Sequence, residues 1–311
     1  MSDSAGQDKR PTAKELAHDR TALAPGDCHG VSPLVRRIVA PNSSPFTFTG
    51  TCTYIVGAGN VTVIDPGPEN ADHLAAILAA VKGERIAHIL VTHTHRDHSP
   101  GAYALKAATG ARLGGCAAHA QIIDDPSGRE DTSHDLTYRP EFEMRDGEVL
   151  ECDGYTLTAV HTPGHASNHL CFALAEENAL FSGDHVMAWS TTVVAPPDGN
   201  MRDYMRSLEQ LGARSDALYW PGHGAPVVAP QRYVRALASH RRQRERAIVE
   251  RMEAGDSSVW AIVDSAYASL NPKLRNAAAL SVLAHLEDLL ERGLIVSDDG
   301  AATLTAHYKI A

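Results

Sequence analysis

Thr92-His93-Thr94-His95-Arg96-Asp97-His98 is the stretch on which the reading of this chain turns. It follows Ile86-Ala87-His88-Ile89-Leu90-Val91, an apolar run with the character of a buried strand. Side chains at i and i+2 of an extended chain share a face, so His93 and His95 can aim both imidazoles at one ion. Asp97 and His98 come next, on a turning segment, and can face a neighbouring position. Imidazoles with one hard carboxylate suit zinc, and also iron or manganese. The alternative, a run of polar loop residues after a strand, does not account for three histidines and an aspartate packed into residues 93–98.

Three segments further along carry matching donors. They are Val160-His161-Thr162-Pro163-Gly164-His165, Leu180-Phe181-Ser182-Gly183-Asp184-His185 and Tyr219-Trp220-Pro221-Gly222-His223-Gly224. In each, a glycine precedes the candidate ligand (His165, Asp184 or His223), as suits a sharp turn holding a side chain at the rim of a sheet. Strand-end loops on a rigid sheet are where such constellations are built.

Around these motifs the chain alternates. Residues 1–30 are charged and rich in Pro, Gly and Ala, and read as a mobile arm with a short helix over 13–20. Strands are predicted over 51–56 and 61–64, joined by a turn at Gly57-Ala58-Gly59-Asn60, and further on over 86–91, 156–160, 170–175, 179–182 and 217–220. Helices are predicted over 71–82, with Leu74, Ile77, Leu78 and Val81 in the 3.6-residue period and a stop at Gly83, near 100–109 and over 201–211. Short turns between several strand pairs favour a mixed sheet with helices outside. From Pro230 the character becomes helical, with helices over 231–253, 257–269 and 272–292. Asp256 reads as an N-cap, Pro272 as a first helical residue and Gly293 as a stop. The runs 294–296 and 302–305 flank Asp298-Asp299-Gly300 as a hairpin, so the tail has the look of a winged helix. The expected division is an arm at 1–30, a catalytic domain at 31–229 and a winged-helix-like domain at 230–311.

The composition narrows the classes. With 43% hydrophobic and 21% charged residues among 311, the chain is neither disordered nor collagen-like. No apolar run approaches the roughly 20 residues of a bilayer span. The polar start, Met1-Ser2-Asp3-Ser4, has no apolar core of a secretory signal. Cys28, Cys52, Cys116, Cys152 and Cys171 are odd in number and scattered, which points to reduced thiols and a cytoplasmic protein. A formal charge of −10 disfavours nucleic acid and anionic membranes as partners. Seventeen histidines beside 5% aromatics point instead to metal.

The order H-x-H-x-D-H, a G-H 72 residues after His93, a G-D 19 further and a G-H 39 further resembles the metallo-β-lactamase superfamily over about 49–224. The resemblance implies an α/β fold, the αββα sandwich, with a dinuclear site at one edge of its two sheets. Carried over residue by residue, His93, His95 and His165 would hold one metal, Asp97, His98 and His223 the other, and Asp184 would bridge them. Phe46-Thr47-Phe48-Thr49-Gly50-Thr51, Ile64-Asp65-Pro66-Gly67, Ser182-Gly183-Asp184-His185 and the helical tail are similar to the β-lactamase-like protein 2 subfamily. Members of that subfamily carry a winged-helix-like tail, and some are single-strand endoribonucleases. Asp184 argues against β-lactam hydrolysis, because true β-lactamases of the fold commonly have Cys or Ser there. His95 argues against oxygen reduction, because flavodiiron proteins need a Glu at that place. The tRNA-maturing relatives carry a long exosite arm, which no insertion here supplies.

The expected cofactors are two divalent ions, Zn2+ first and iron or manganese as alternatives, about 3.5–4 Å apart and sharing a hydroxide of lowered pKa. Asp97 would ligate and orient the nucleophile's proton. His185 either lines the cleft and protonates a leaving group or packs. Asp65 and His161 would hold ligands from behind, His161 more readily by a structural hydrogen bond. His88 and His169 read as ordinary strand residues. The run His240-Arg241-Arg242-Gln243-Arg244-Glu245-Arg246 reads as a solvated helix face, and Leu280, Leu283, Leu286 and Leu290 as a core or subunit-interface stripe. Trp189, Trp220 and Trp260 lie too far apart to form a base-stacking platform.

Three activities follow. The first is hydrolysis of an ester, thioester or lactone on a small anionic or acyl substrate. The second is cleavage of single-stranded RNA. The third is a mononuclear-iron persulfide-type dioxygenase. The tail would pack against the cleft and narrow it. A homodimer is compatible with the sequence, and no membrane partner is expected.

Overall fold

In a computed structural model, residues 24–120, 133–268, 270 and 272–311 are described. The helix expected over 13–20 lies outside them.

A meander opens the chain: β1 (Cys28–Gly30), β2 (Val35–Val39), β3 (Cys52–Val56) and β4 (Asn60–Ile64) pair antiparallel in succession. After α1 (Ala71–Ala80) the sheet continues parallel through β5 (Arg85–Val91), then α2 (Gly101–Thr109), β6 (Arg112–Gly115) and β7 (Phe142–Glu143). The seven strands lie in sequence order. A second sheet holds β8 (Val149–Glu151), β9 (Thr156–His161), β10 (Leu170–Leu174), β11 (Ala179–Gly183), β12 (Leu218–Pro221) and β13 (Val227–Val228), with α3 (Met201–Gly212) between β11 and β12. The tail is α4 (Pro230–Glu253), α5 (Val259–Ala266), α6 (Arg275–Glu291), β14 (Ile295–Ser297) and β15 (Tyr308–Ile310).

The sheets face each other across one apolar core. Tyr54 of β3 meets Phe181 of β11 at 5.1 Å and Trp220 of β12 at 6.0 Å between ring centroids, and its hydroxyl donates to Pro221 O at 2.7 Å. Burying an aromatic ring while satisfying its one polar atom is the favourable way to place tyrosine in a core. Ile77 and Leu105 bring α1 and α2 onto the first sheet, and Tyr204, Leu208 and Leu237 bring α3 and α4 onto the second. Helices thus cover both outer faces, the αββα arrangement. A third core, with Ile248, Val263, Leu283, Leu286 and Tyr308, joins the end of α4 to α5, α6 and the β14–β15 wing.

Several expectations need correction. Within the supposed 1–30 arm, Cys28–Gly30 forms β1, paired on β2 through Cys28 and Ile38. Strand β2 escaped notice because Arg36 and Arg37 interrupt its apolar run. Arg37 is nonetheless only 9% exposed and donates to Gly224 O at 3.0 Å. The N-cap of α5 is Ser258, whose side chain accepts from Ala261 N, while Asp256 accepts from Arg251 and Ser265. Pro272–Leu274 is a 3-10 turn and α6 starts at Arg275. The wing's return strand is Tyr308–Ile310 rather than 302–305, because the Tyr308 hydroxyl anchors the turn by donating to Thr303 O at 2.5 Å. Arg241 is no member of a solvated face: it is 4% exposed, donates to Thr192 O and lies 5.2 Å over the Tyr204 ring. No helix among the described residues is long and apolar enough to cross a membrane.

A buried histidine couples this fold to pH. His73 of α1 is 1% exposed, with Nε2 2.8 Å from Thr53 Oγ1, whose own proton goes to Asp65 O at 2.6 Å. Burial lowers its pKa from 6.5 to about 4. A histidine kept neutral in the fold stabilises it fully above its unfolded pKa, and that contribution is lost as pH falls through 6.5 towards 4, roughly 3 kcal/mol in all. Thermal unfolding of chelator-treated protein should therefore show a falling Tm from pH 7 to pH 4, with a shallower fall in His73→Gln. Equal slopes in the two proteins would contradict the assignment.

Candidate metal centre

Topology brings the motifs to one edge. β9 and β11 both run antiparallel to β10, and β11 is parallel to β12, so β9, β11 and β12 all end on the same side of the second sheet. Their C-terminal loops carry His165, Asp184 and His223. β5 of the first sheet delivers residues 92–98 to the same edge, where Leu170 N donates to Thr92 O at 2.8 Å.

Two groups of donors form there: His93, His95 and His165, and Asp97, His98, Asp184 and His223. The Nε2 atoms of His93 and His165 lie 2.9 and 3.0 Å from His95 Nδ1. In the second group, His223 Nε2 lies 3.2 Å from Asp97 Oδ2, and His98 Nε2 lies 3.5 Å from the same oxygen. Asp184 touches both groups, with Oδ2 at 3.7 Å from His165 Nε2 and 3.3 Å from His223 Nε2, and Oδ1 at 3.5 Å from His98 Nε2. Donor separations of about 3.3 Å are the edges of a tetrahedron around an ion with bonds of 2.0–2.1 Å. His98 Nε2, His223 Nε2 and Asp184 Oδ1 are buried without a partner in hydrogen-bonding geometry. Leaving such atoms unsatisfied is costly, and a cation would satisfy all of them. The residues present therefore fit a metal.

The outer nitrogens are already taken, which fixes the inward ones as lone-pair donors. His98 Nδ1 lies 2.9 Å from Asp65 Oδ2, His165 Nδ1 2.6 Å from Val193 O and His223 Nδ1 3.2 Å from Gly50 O. Asp65 also accepts from Thr92 N and Thr92 Oγ1, both at 2.8 Å, and sits at φ +50°, a backbone region that non-glycine residues rarely adopt. Gly183 has φ +47°, whereas Gly222 has no positive φ and is needed for space: a Cβ there would run into Asp184 Oδ1 and lie 2.8 Å from His98 Cε1.

Electrostatics divides the groups. Burial, reinforced by neighbouring imidazoles, holds His93 and His95 well below the ordinary histidine range, and burial also lowers His165. Burial would lower His98 and His223 too, but Asp97 and Asp184 outweigh it, raising His98 well above its ordinary value and His223 to about 10. Burial would raise Asp184 and Asp97, but the facing His98 and His223 bring both below the usual carboxylate range.

The remaining candidates fall differently. His185 is fully buried against the Tyr204 ring at 4.6 Å and does not line the cavity over the site, so the cleft reading gives way to packing. His161 is exposed and lies 3.2 Å from Ser167 O, away from every ligand, because it ends β9 on the solvent face. His169, read as ordinary, sits behind the centre: its Nδ1 is 2.8 Å from Thr162 Oγ1 and its Nε2 accepts from Asp184 N at 3.2 Å. His119, His134 and Asp198 form a further cluster that went unnoticed, because single residues from three separate loops leave no spacing to read. Its two imidazoles stack 3.8 Å apart at 6°, and parallel planes cannot both contain one ion, so this is a stack tied to Asp198 rather than a further donor group for a metal. His134 also packs on His95 at 4.4 Å.

The centre opens into a cavity of about 530 Å³, lined among others by Phe46, His95, Asp97, Met187 and Val193. Mixed sheets between helix layers, with donors gathered at one edge, define the class of protein. The model of the metallo-beta-lactamase superfamily matches residues 46–223, and the chain belongs to that superfamily. A beta-lactamase associated winged helix domain matches 258–302. An atrochrysone carboxyl ACP thioesterase of Paecilomyces divaricatus is 35% identical over 243 residues, covering 75% of this chain and 70% of that protein. A lactamase-like protein of Emericella nidulans is 29% identical over 291 residues, 89% of this chain and 88% of its own length. The crystal structure of a beta-lactamase domain protein from Burkholderia ambifaria superposes with a TM-score of 0.75 at 22% identity, covering 94% of this chain and 96% of that one.

Asp65 ties two buried groups together, and its removal should be felt without any metal. In Asp65→Ala, His98 Nδ1 and the Thr92 backbone N–H lose their acceptor, which should cost about 3 kcal/mol or more in urea unfolding with excess chelator. A loss below about 1 kcal/mol would show that Asp65 does not hold the site.

Proposed function

We propose that this protein is a hydrolase that uses two divalent metal ions, Zn2+ in first place, to cleave thioesters of small acyl groups. The observation that carries this reading is Asp184, whose two oxygens face both donor groups at 3.3–3.7 Å beneath an open cavity. His93, His95 and His165 would hold one ion, Asp97, His98 and His223 the other, with Asp184 shared. When bound, such ions supply Lewis acidity and bring the pKa of water towards neutrality. The second, complete donor group supports two ions over the single iron of a dioxygenase.

The protein's own groups do the rest. Asp65, Val193 O and Gly50 O hold the ligand imidazoles in one tautomer. Asp97, with its side chain 27% exposed, is the carboxylate able to take the proton of an attacking water. A thiol leaving group, with a pKa near 8.5, departs as thiolate without a general acid, which accords with His185 being buried away from the cavity. The relatives named as thioesterases support the same chemistry. RNA has less to hold it: Arg241 is buried, Arg244 stacks on Tyr267 at 4.8 Å and Glu245 pairs with Arg292 at 2.9 Å, so the arginine run builds no phosphate track. We place the catalytic unit at 31–229 and the winged-helix-like unit at 230–311. The free cysteines support a reducing compartment such as the cytoplasm.

Asp184→Asn should lower kcat on an N-acetylcysteamine thioester by at least about a hundredfold, several kcal/mol of transition-state stabilisation, with an unchanged circular dichroism spectrum. Near-wild-type turnover in the folded variant would contradict the shared role of Asp184. Rapid cleavage of labelled single-stranded RNA by a protein that leaves thioesters intact would overturn the substrate class.

A further inference from the structure

A second cavity, of about 430 Å³, lies between the 187–193 segment and helices α4 and α6, and Phe46, Met187 and Val193 line both it and the cavity over the metal centre. Its size falls within the roughly 300–1,000 Å³ of small-molecule sites. Trp189, Tyr233, Leu237 and Leu270 give it apolar walls, while α4 sets His240, Arg241 and Arg244 along one side. Residues i and i+4 of a helix are neighbours on its surface, and Arg244 Nε lies 3.4 Å from His240 Nε2. Arg241 is 4% exposed, and its Nε is buried with no partner in hydrogen-bonding geometry. His240 Nδ1 is in the same condition. An apolar chamber with two guanidinium groups at one side, and with Arg241 Nε and His240 Nδ1 left without partners, asks for a ligand with an apolar body and an anionic oxygen.

We propose that this chamber takes the acyl group of the substrate, an apolar acyl chain or ring system ending in a carboxylate that His240, Arg241 and Arg244 receive. The inference rests on the thioesterase reading and names its substrate class. The reacting carbonyl lies over Asp97 and Asp184, the acyl body passes Phe46, Met187 and Val193, and the distal carboxylate meets Arg241 and Arg244 beside the neutral His240 of α4. The C-terminal tail thereby selects the substrate, because α4 and α6 form the chamber's outer wall.

The test compares octanoyl and 7-carboxyheptanoyl N-acetylcysteamine thioesters, which differ only in the distal carboxylate. The proposal expects kcat/KM to favour the carboxylated thioester by about tenfold or more. Arg244→Gln should bring that ratio close to one, Arg244→Lys should retain most of it, and Arg242→Gln, on the exposed side of α4, should leave it intact. Equal rates on the two thioesters, or a preference that survives Arg244→Gln, would overturn the proposal. Calorimetric titration with dodecanedioate separates this from the hydrolase reading. If neither thioester is cleaved but dodecanedioate binds and Arg244→Gln weakens it at least fivefold, the chamber stands and the hydrolase reading falls. If dodecanedioate does not bind, or binds Arg244→Gln equally well, the chamber is wrong whatever the activity.

Discussion

Gathering five imidazoles and two carboxylates within a few ångströms of one another, most of them buried, is the constraint on which the rest of this structure depends. His93, His98, His223 and Asp184 are all nearly or fully buried, so water cannot solvate their charges. Isolated buried charges are among the most expensive features a fold can carry. The protein offsets this in layers. Asp184 and Asp97 face His98 and His223, and Asp65 holds His98 from behind. His93, His95 and His165, with less carboxylate around them, are held neutral, the protonation state a metal ligand needs.

This arrangement is affordable only because the supporting atoms belong to rigid elements. Four strand ends from two sheets meet at one edge, and the sheets are joined through a shared aromatic core. The 187–193 segment then links the centre to the tail. Val193 O accepts from His165, and the adjacent Thr192 O accepts from Arg241 of α4. Helix α4 of the tail is thus mechanically close to the donor cluster, two hydrogen bonds from His165.

Much of this was legible in the chain. The strand-then-histidine stretch at 86–98 and the glycine-preceded donors at 165, 184 and 223 announce themselves because local backbone geometry dictates their spacing. The helices of the tail were also readable, because helical periodicity is a local property. What stayed hidden depends on partners far away in sequence. β2 carries two arginines that only tertiary contacts with Gly224 and Glu84 explain. Arg241 looked solvated because its helix is polar around it, yet Tyr204 and Thr192 take it into the interior. His169 sits in a strand-like run with no motif, and its bond to Asp184 N exists only once β10 and β11 are side by side. Cap and wing positions slipped for a smaller reason: Ser258 and Tyr308 offered the better hydrogen bonds.

The central claim is that two adjacent donor groups sharing Asp184 each hold an ion. It is tested most directly by crystals soaked in saturating Zn2+ and measured for anomalous scattering at the zinc edge. Two anomalous peaks are expected, one among His93, His95 and His165 and one among Asp97, His98 and His223, with Asp184 touching both. A single peak at full occupancy, with the second donor group closed on itself by hydrogen bonds, would contradict it.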